Sequence, residues 1–248
     1  MRVRLGCGGA GGGVVRLTTM KRPRKHWSLR ETGRPLPPRD AIDDFQTRIL
    51  AWAQEHGRDF PWRHVTDPYR VAITELLLQQ TSATAVAKCW HDFFEHFPTP
   101  SALASASDDE IASAIGHLGL HQQRTRRIRA LARWMAEHGN SLPTIREELE
   151  AVPGVGQYVA SAVLAVCAGQ PEPLLDVNMT RVIERYFGER TLADIRDDPW
   201  LQETARSAAP GARLGWAVLD FAATICRARA PRCYMCPLSP ECRKHSDG

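Results

Sequence analysis

Leu149-Glu150-Ala151-Val152-Pro153-Gly154-Val155-Gly156-Gln157-Tyr158-Val159-Ala160 joins the end of one apolar-periodic run to the start of the next. Pro153 lacks the N–H that a continuing helix needs. Gly154 and Gly156 stand two residues apart. Glycine tolerates positive φ there and lets the backbone approach a ligand closely. The first N–H groups of the helix opening near Gln157 have no intrahelical acceptor, and they favour an anion. By itself, a Pro-Gly-x-Gly turn is ordinarily a connection between two packed helices.

Outward from this turn the pattern stays helical. Ile42, Phe45, Ile49 and Trp52 recur at helical spacing, and Gly57 to Tyr69 is turn-rich, with Pro61 and Pro68. A helix beginning at Val71 is expected to pass Thr81 and end near Phe97. Further helices are expected near Ser101–Ala106, Asp108–Ile115, Arg124–His138, Thr144–Ala151, Gln157–Ala168, Met179–Tyr186, 199–208 and 211–225. Strand alternation and internal repeats are absent from the sequence, so the fold class is all-α.

A chain of 248 residues with 43% hydrophobic residues has room for one large domain or two small ones. No run of about 18 apolar residues suggests a membrane span. The net charge of +4 permits a polyanionic partner and does not require one. Its distribution is more pointed. Arg124, Arg126, Arg127, Arg129 and Arg133 fall close together, and Arg227, Arg229, Arg232, Arg243 and Lys244 surround a group of cysteines. Such clusters read equally as solvated surface. Residues 1–40 mix basic residues with a glycine run and read as a disordered basic arm. They lack the apolar core of a secretory signal, and Met20 is a possible alternative start. With no such signal and an odd total of seven cysteines, a secreted disulfide framework is not expected, and the expected location is cytoplasmic.

Cys7, Cys89 and Cys167 are scattered and suggest no role; Cys167 sits in an apolar run and reads as a small buried residue. Cys226, Cys233, Cys236 and Cys242 are bunched as Cys-x6-Cys-x2-Cys-x5-Cys. Four soft thiolates at this spacing suit iron–sulfur or zinc, and ligand chemistry alone leaves both open. Zinc sites usually pair two Cys-x2-Cys knuckles, and only one is present.

The hairpin resembles the helix-hairpin-helix motif of the endonuclease III superfamily of DNA glycosylases, and the resemblance runs from about Asp44 to Arg243. Arg58-Asp59-Phe60-Pro61-Trp62-Arg63 and Thr74-Glu75-Leu76-Leu77-Leu78-Gln79-Gln80-Thr81 look like segments of the adenine and thymine mismatch glycosylases. Leu174-Leu175-Asp176-Val177-Asn178-Met179-Thr180-Arg181-Val182 looks like the segment carrying their catalytic aspartate, 18 positions after Tyr158. The cysteine spacing is similar to the family's iron–sulfur loop at all four positions, which implies a [4Fe–4S] cluster. The implied architecture is two helical lobes with duplex DNA bound at the cleft between them. One lobe is a six-helix barrel over 67–175. The other joins the helix in 41–66 to the cluster-bearing part, 176–248.

The resemblance also implies roles. Breaking an N-glycosidic bond builds positive charge at the sugar C1′, which a carboxylate stabilises, while an acid assists the leaving base. The base is first flipped from the stack. Asp176 is implied as the carboxylate at the sugar and Glu75 as the group acting on the base. Asp176 reads otherwise as a helix N-cap, and Glu75 as a surface residue, although its apolar surroundings would make an unpaired charge costly. Bifunctional members carry a lysine at position 158 that attacks C1′. Tyr158 cannot, which implies a monofunctional enzyme. Val152, Gly154, Gly156 and Gln157 are implied contacts to a DNA phosphate. Gln79 and Gln80 are implied to fill the hole left by the flipped base. Leu120 is implied as the wedge into the opposite strand, or is core.

Thymine or uracil opposite guanine is the favoured substrate, on Tyr158, Leu120, Arg185-Tyr186-Phe187-Gly188, Asp220-Phe221 and a chain ending six residues after Cys242. The alternative, adenine opposite 8-oxoguanine or guanine, rests on Gln79-Gln80-Thr81. A DNA-binding module without catalysis is the non-enzymatic alternative. A monomer is expected.

Overall fold

The computed structural model describes residues 28–119 and 121–246. The described residues are helical without strands: α1 Leu29–Thr32, α2 Arg39–His56, α3 Pro68–Leu78, α4 Ala83–His96, α5 Pro100–Ser105, α6 Asp108–Ile115, α7 His121–Glu137, α8 Arg146–Ala151, α9 Gln157–Cys167, α10 Val177–Phe187, α11 Pro199–Ala208, α12 Gly211–Thr224 and α13 Arg243–Ser246. Local chemistry sets many boundaries. Asp67 caps α3 ahead of Pro68, and Ser107 closes a capping box with Glu110 at the start of α6.

Two hydrophobic clusters organise the helices. One gathers side chains between Phe60 and Leu164, with α3 packed on α7 and α9. The other joins Phe45, Ile49 and Trp52 of α2 to α10, α11 and α12. Helix α9 serves both: Val159, Ala160, Val163 and Leu164 face the first cluster, while Ala162 and Ala165 face the second. Truncating a fully buried leucine such as Leu76 or Leu164 to alanine would cost about 2–5 kcal/mol.

Two expectations need correction. The single helix from Val71 to Phe97 is broken at Gln79–Ser82. Gln80 adopts φ 55, and Ser82 caps a new helix by accepting from the Ala85 N–H. The reason is tertiary: Arg124 takes up the carbonyl of Gln79 and the Thr81 hydroxyl, each at 2.7 Å. The arm 1–40 is also drawn too long at its C-terminal end. Ser28 and Glu31 form a capping box on α1, and the Arg34 guanidinium lies 3.4 Å from the centroid of the Trp200 ring. The Trp200 indole N–H in turn donates to the Pro35 carbonyl at 3.0 Å. Met20, Cys7 and the glycine run lie outside the described residues, as does Leu120.

Candidate active site

Glu75 lies on α3 among apolar neighbours and is 7% exposed. Its Oε2 has no hydrogen-bond partner. Burial pushes its carboxyl up to about 7; the hydroxyl of Tyr158 works the other way, and the negative charge of Asp176 adds to the rise. A carboxylic acid titrating there is placed to give up or take a proton near neutrality. Tyr158, in the first turn of α9, is held well above the usual phenol range by burial and then by the charges of Glu75 and Asp176. It stays neutral, and its hydroxyl can donate a hydrogen bond to the Glu75 carboxylate.

Asp176 is the N-cap of α10. Its Oδ1 accepts from the N–H groups of Asn178 and Met179, both at 2.8 Å, and its Oδ2 accepts from the Asn178 side chain at 2.6 Å. It is therefore a cap and, at the same time, a charge felt by both Glu75 and Tyr158. The three groups come from α3, α9 and the start of α10, across the boundary between the two clusters.

The hairpin borders this group. Val152 is buried. Gly154 has φ +87, and a Cβ there would stand 3.2 Å from the Arg127 carbonyl. Gly156, the N-cap of α9, has open space where a Cβ would be. The Gln157 side chain donates to Gln202 of α11 at 3.1 Å. Arg127 reaches the Gln79 side-chain oxygen and the Gly154 carbonyl, so it links the hairpin to the end of α3. Gln79, Gln80, Gln123, Arg124, Arg127 and Leu76 line one open cleft.

Some of the arginines expected at the surface are structural. Arg124 is buried, and Arg129 pairs with Asp108 at 2.7 Å. Sequence reasoning also missed a buried ionic clamp. Asp220, 1% exposed, accepts from the backbone and side chain of Arg58 and from both terminal nitrogens of Arg63, all at 2.8 Å. The clamp ties the segment before α3 to α12. A carboxylate inside the apolar run Ala217-Val218-Leu219-Asp220-Phe221 was the available signal, the same one that marks Glu75.

Cys226, Cys233, Cys236 and Cys242 are free and half-buried. Cys226, Cys236 and Cys242 pack on the edge of the second cluster. Burial pushes the Cys236 thiol up to about 11, with Cys226, Cys242 and Cys233 adding to the rise, so the four lie within reach of one another's charge. Arg185 donates to the Cys226 sulfur at 3.4 Å, and the Cys242 thiol donates to the Arg185 carbonyl at 3.2 Å. Among the described residues no three His, Cys, Asp or Glu side chains close on a single ion. The donor set is four thiols with a cation beside them, which suits an anionic iron–sulfur cluster.

The profile of a family described as HhH-GPD superfamily base excision DNA repair protein matches residues 73–197. A thymine-DNA glycosylase from Aeropyrum pernix is 37% identical over 209 residues, 81% of this chain and 94% of that protein. An adenine DNA glycosylase from Mycobacterium tuberculosis is 36% identical over 198 residues, 77% of this chain and 65% of that protein. The solved structure of a thermostable thymine-DNA glycosylase superposes with a TM-score of 0.78 at 33% identity, covering 84% of this chain and 98% of that one.

Proposed function

Because the chain belongs to the HhH-GPD superfamily of base excision DNA repair proteins, we propose that it is a monofunctional glycosylase removing thymine or uracil opposite guanine in duplex DNA. The observation that carries this reading is the buried Glu75 carboxyl, held near neutral pKa beside Tyr158 and Asp176. Glu75 in its protonated form hydrogen-bonds the flipped base and eases its departure. Asp176, held by the N–H groups of α10, stabilises positive charge at the sugar C1′ while water completes the hydrolysis. Tyr158 has no amine with which to form a Schiff base, so the product is an intact strand with an abasic site.

The Val152–Gln157 turn holds a backbone phosphate without reading sequence. Gln79, Gln80 and Leu120 occupy the space opened in the duplex. Cys226, Cys233, Cys236 and Cys242 would hold a [4Fe–4S] cluster, which braces the basic loop when bound. The protein acts as a monomer on DNA in the cytoplasm. No helix among the described residues is long and apolar enough to cross a membrane.

A second reading, adenine opposite 8-oxoguanine or guanine, is supported by Gln79-Gln80-Thr81 and by the 36% identity to an adenine glycosylase. Single-turnover excision from duplexes holding T·G, U·G, A·G and A·8-oxoguanine separates the two. Strong excision from the adenine pairs alone would establish the second reading. Duplex binding with no excision from any pair would leave a DNA-binding module. Borohydride in the same reactions should trap no covalent complex; efficient trapping would make the enzyme bifunctional.

A further inference from the structure

Arg124 is 5% exposed, yet among the described residues no carboxylate pairs with it. An arginine side chain has five N–H donors. Here each has an oxygen, and the oxygens lie in the last turn of α3, in the turn that follows it, and in the turn before α7. Nε donates to the Leu76 carbonyl at 3.4 Å, and one terminal nitrogen donates to Gln79 O and Thr81 Oγ1, both at 2.7 Å. The other donates to the Leu118 carbonyl at 3.2 Å and to the Gly119 carbonyl. Thr81 adds a direct link, its hydroxyl lying 3.3 Å from the Leu118 carbonyl.

Burying a cation without a counter-charge is costly unless fixed dipoles replace its water. Five oxygens do so here, and the arrangement locks the end of α3 to the turn leading into α7. Lysine, with three donors on a flexible stem, cannot span the same set. These are the turns that carry Gln79 and Gln80 on one side and lead into Leu120 on the other.

We propose that Arg124 is a positioning residue for base flipping: it clamps the Gln79–Thr81 turn to the Leu118–Gly119 turn, so that both enter the duplex as one rigid wedge. The proposal rests on the glycosylase reading above. Arg124 touches neither the base nor the sugar. A clamp has to act at the unstacking step, where misplacement by about 1 Å can cost 100-fold.

The test compares the full chain with Arg124→Met and Arg124→Lys on a T·G duplex carrying 2-aminopurine beside the thymine. Melting temperature, affinity for undamaged duplex, the 2-aminopurine rise and the single-turnover excision rate are measured together. Arg124→Met should lose the fluorescence rise and about 100-fold in excision, keep its affinity for undamaged duplex within about threefold, and Arg124→Lys should restore little of the loss. Excision and unstacking close to wild type in a folded Arg124→Met protein would overturn the proposal. An equal loss of undamaged-duplex binding would also overturn it, because a merely structural role predicts that result. If Arg124→Met does not fold, Thr81→Val, which removes one acceptor and the direct link, should give the same pattern at smaller size; wild-type behaviour there overturns the clamp. Absence of excision by the wild type would refute the glycosylase reading, and the clamp is then judged on the unstacking signal alone.

Discussion

Tyr158 turns its hydroxyl toward the buried Glu75 carboxyl, and each sets the proton affinity of the other. The tyrosine draws Glu75 down, toward ionisation, while burial pushes it up harder. The glutamate in turn keeps the phenol neutral. Asp176 opposes ionisation of both. The result is a Glu75 carboxyl that keeps its proton up to about 7, beside Asp176 at the start of α10.

Stability should therefore fall as pH rises toward neutrality. The unfolded chain releases the Glu75 proton near the ordinary value of 4.5, whereas the folded protein holds it to about 7. Between those values the unfolded state binds fewer protons, so rising pH favours unfolding, by up to about 3 kcal/mol, and the effect levels off above 7. Glu75→Gln should remove this slope in denaturant titrations run from pH 5 to 8. The excision rate should also fall above about pH 7 in the wild type and flatten in the variant. A rate that climbs through that range would make Glu75 a base rather than an acid.

Asp176→Asn separates the cap from the charge. Asparagine caps helices about as well as aspartate, so melting should shift little and duplex binding should survive. Excision should fall by about 10²–10³-fold, the scale of losing one electrostatic stabiliser. Asp176→Ala should lose about 1 kcal/mol of stability in addition. Equal excision by the asparagine variant and the wild type would remove Asp176 from the chemistry.

The two glycines of the hairpin should part company. Gly154→Ala places a side chain at φ +87 and 3.2 Å from the Arg127 carbonyl, and should destabilise the protein by about 1–3 kcal/mol. Gly156→Ala meets nothing in the free protein, so its melting should stay within about 1 kcal/mol of wild type. Its affinity for duplex at fixed salt should nevertheless drop, because only bound DNA would occupy that space. Unchanged affinity would move the phosphate contact away from Gly156.

Purified protein should show an absorbance band near about 400 nm, as expected of iron–sulfur ligation. Cys236→Ser should bleach it and lower the iron content measured by emission spectroscopy. Zinc in place of iron, with no visible band, would replace the cluster by a metal site of another kind.

Much of the fold was legible because it is encoded locally. The Ser107 capping box gives the start of α6, and Asp198 with Pro199 gives the start of α11. The break after Leu78 was not legible. Gln79-Gln80-Thr81 holds neither glycine nor proline, and the arginine that stabilises the break is 45 residues from Gln79 in sequence. Glu75 and Asp220 are both carboxylates in apolar runs, yet one is left without a full set of partners and the other is clamped by two arginines. Local pattern marks each as unusual, and only the packing of distant segments tells an incompletely partnered acid from a clamped one. Asp176 shows the converse. Its capping signal and its placement beside Glu75 are both real, and neither excludes the other.

Helix α9 lends one face to each hydrophobic cluster. With this helix shared, the chain should lose its structure in one cooperative step rather than lobe by lobe. The same helix stands between Glu75, on the first cluster's α3, and Asp176, which opens the second cluster's α10. It acts as a beam rather than a hinge: on the glycosylase reading proposed above, the spacing of acid and carboxylate is set by the packing of α9 before any duplex arrives.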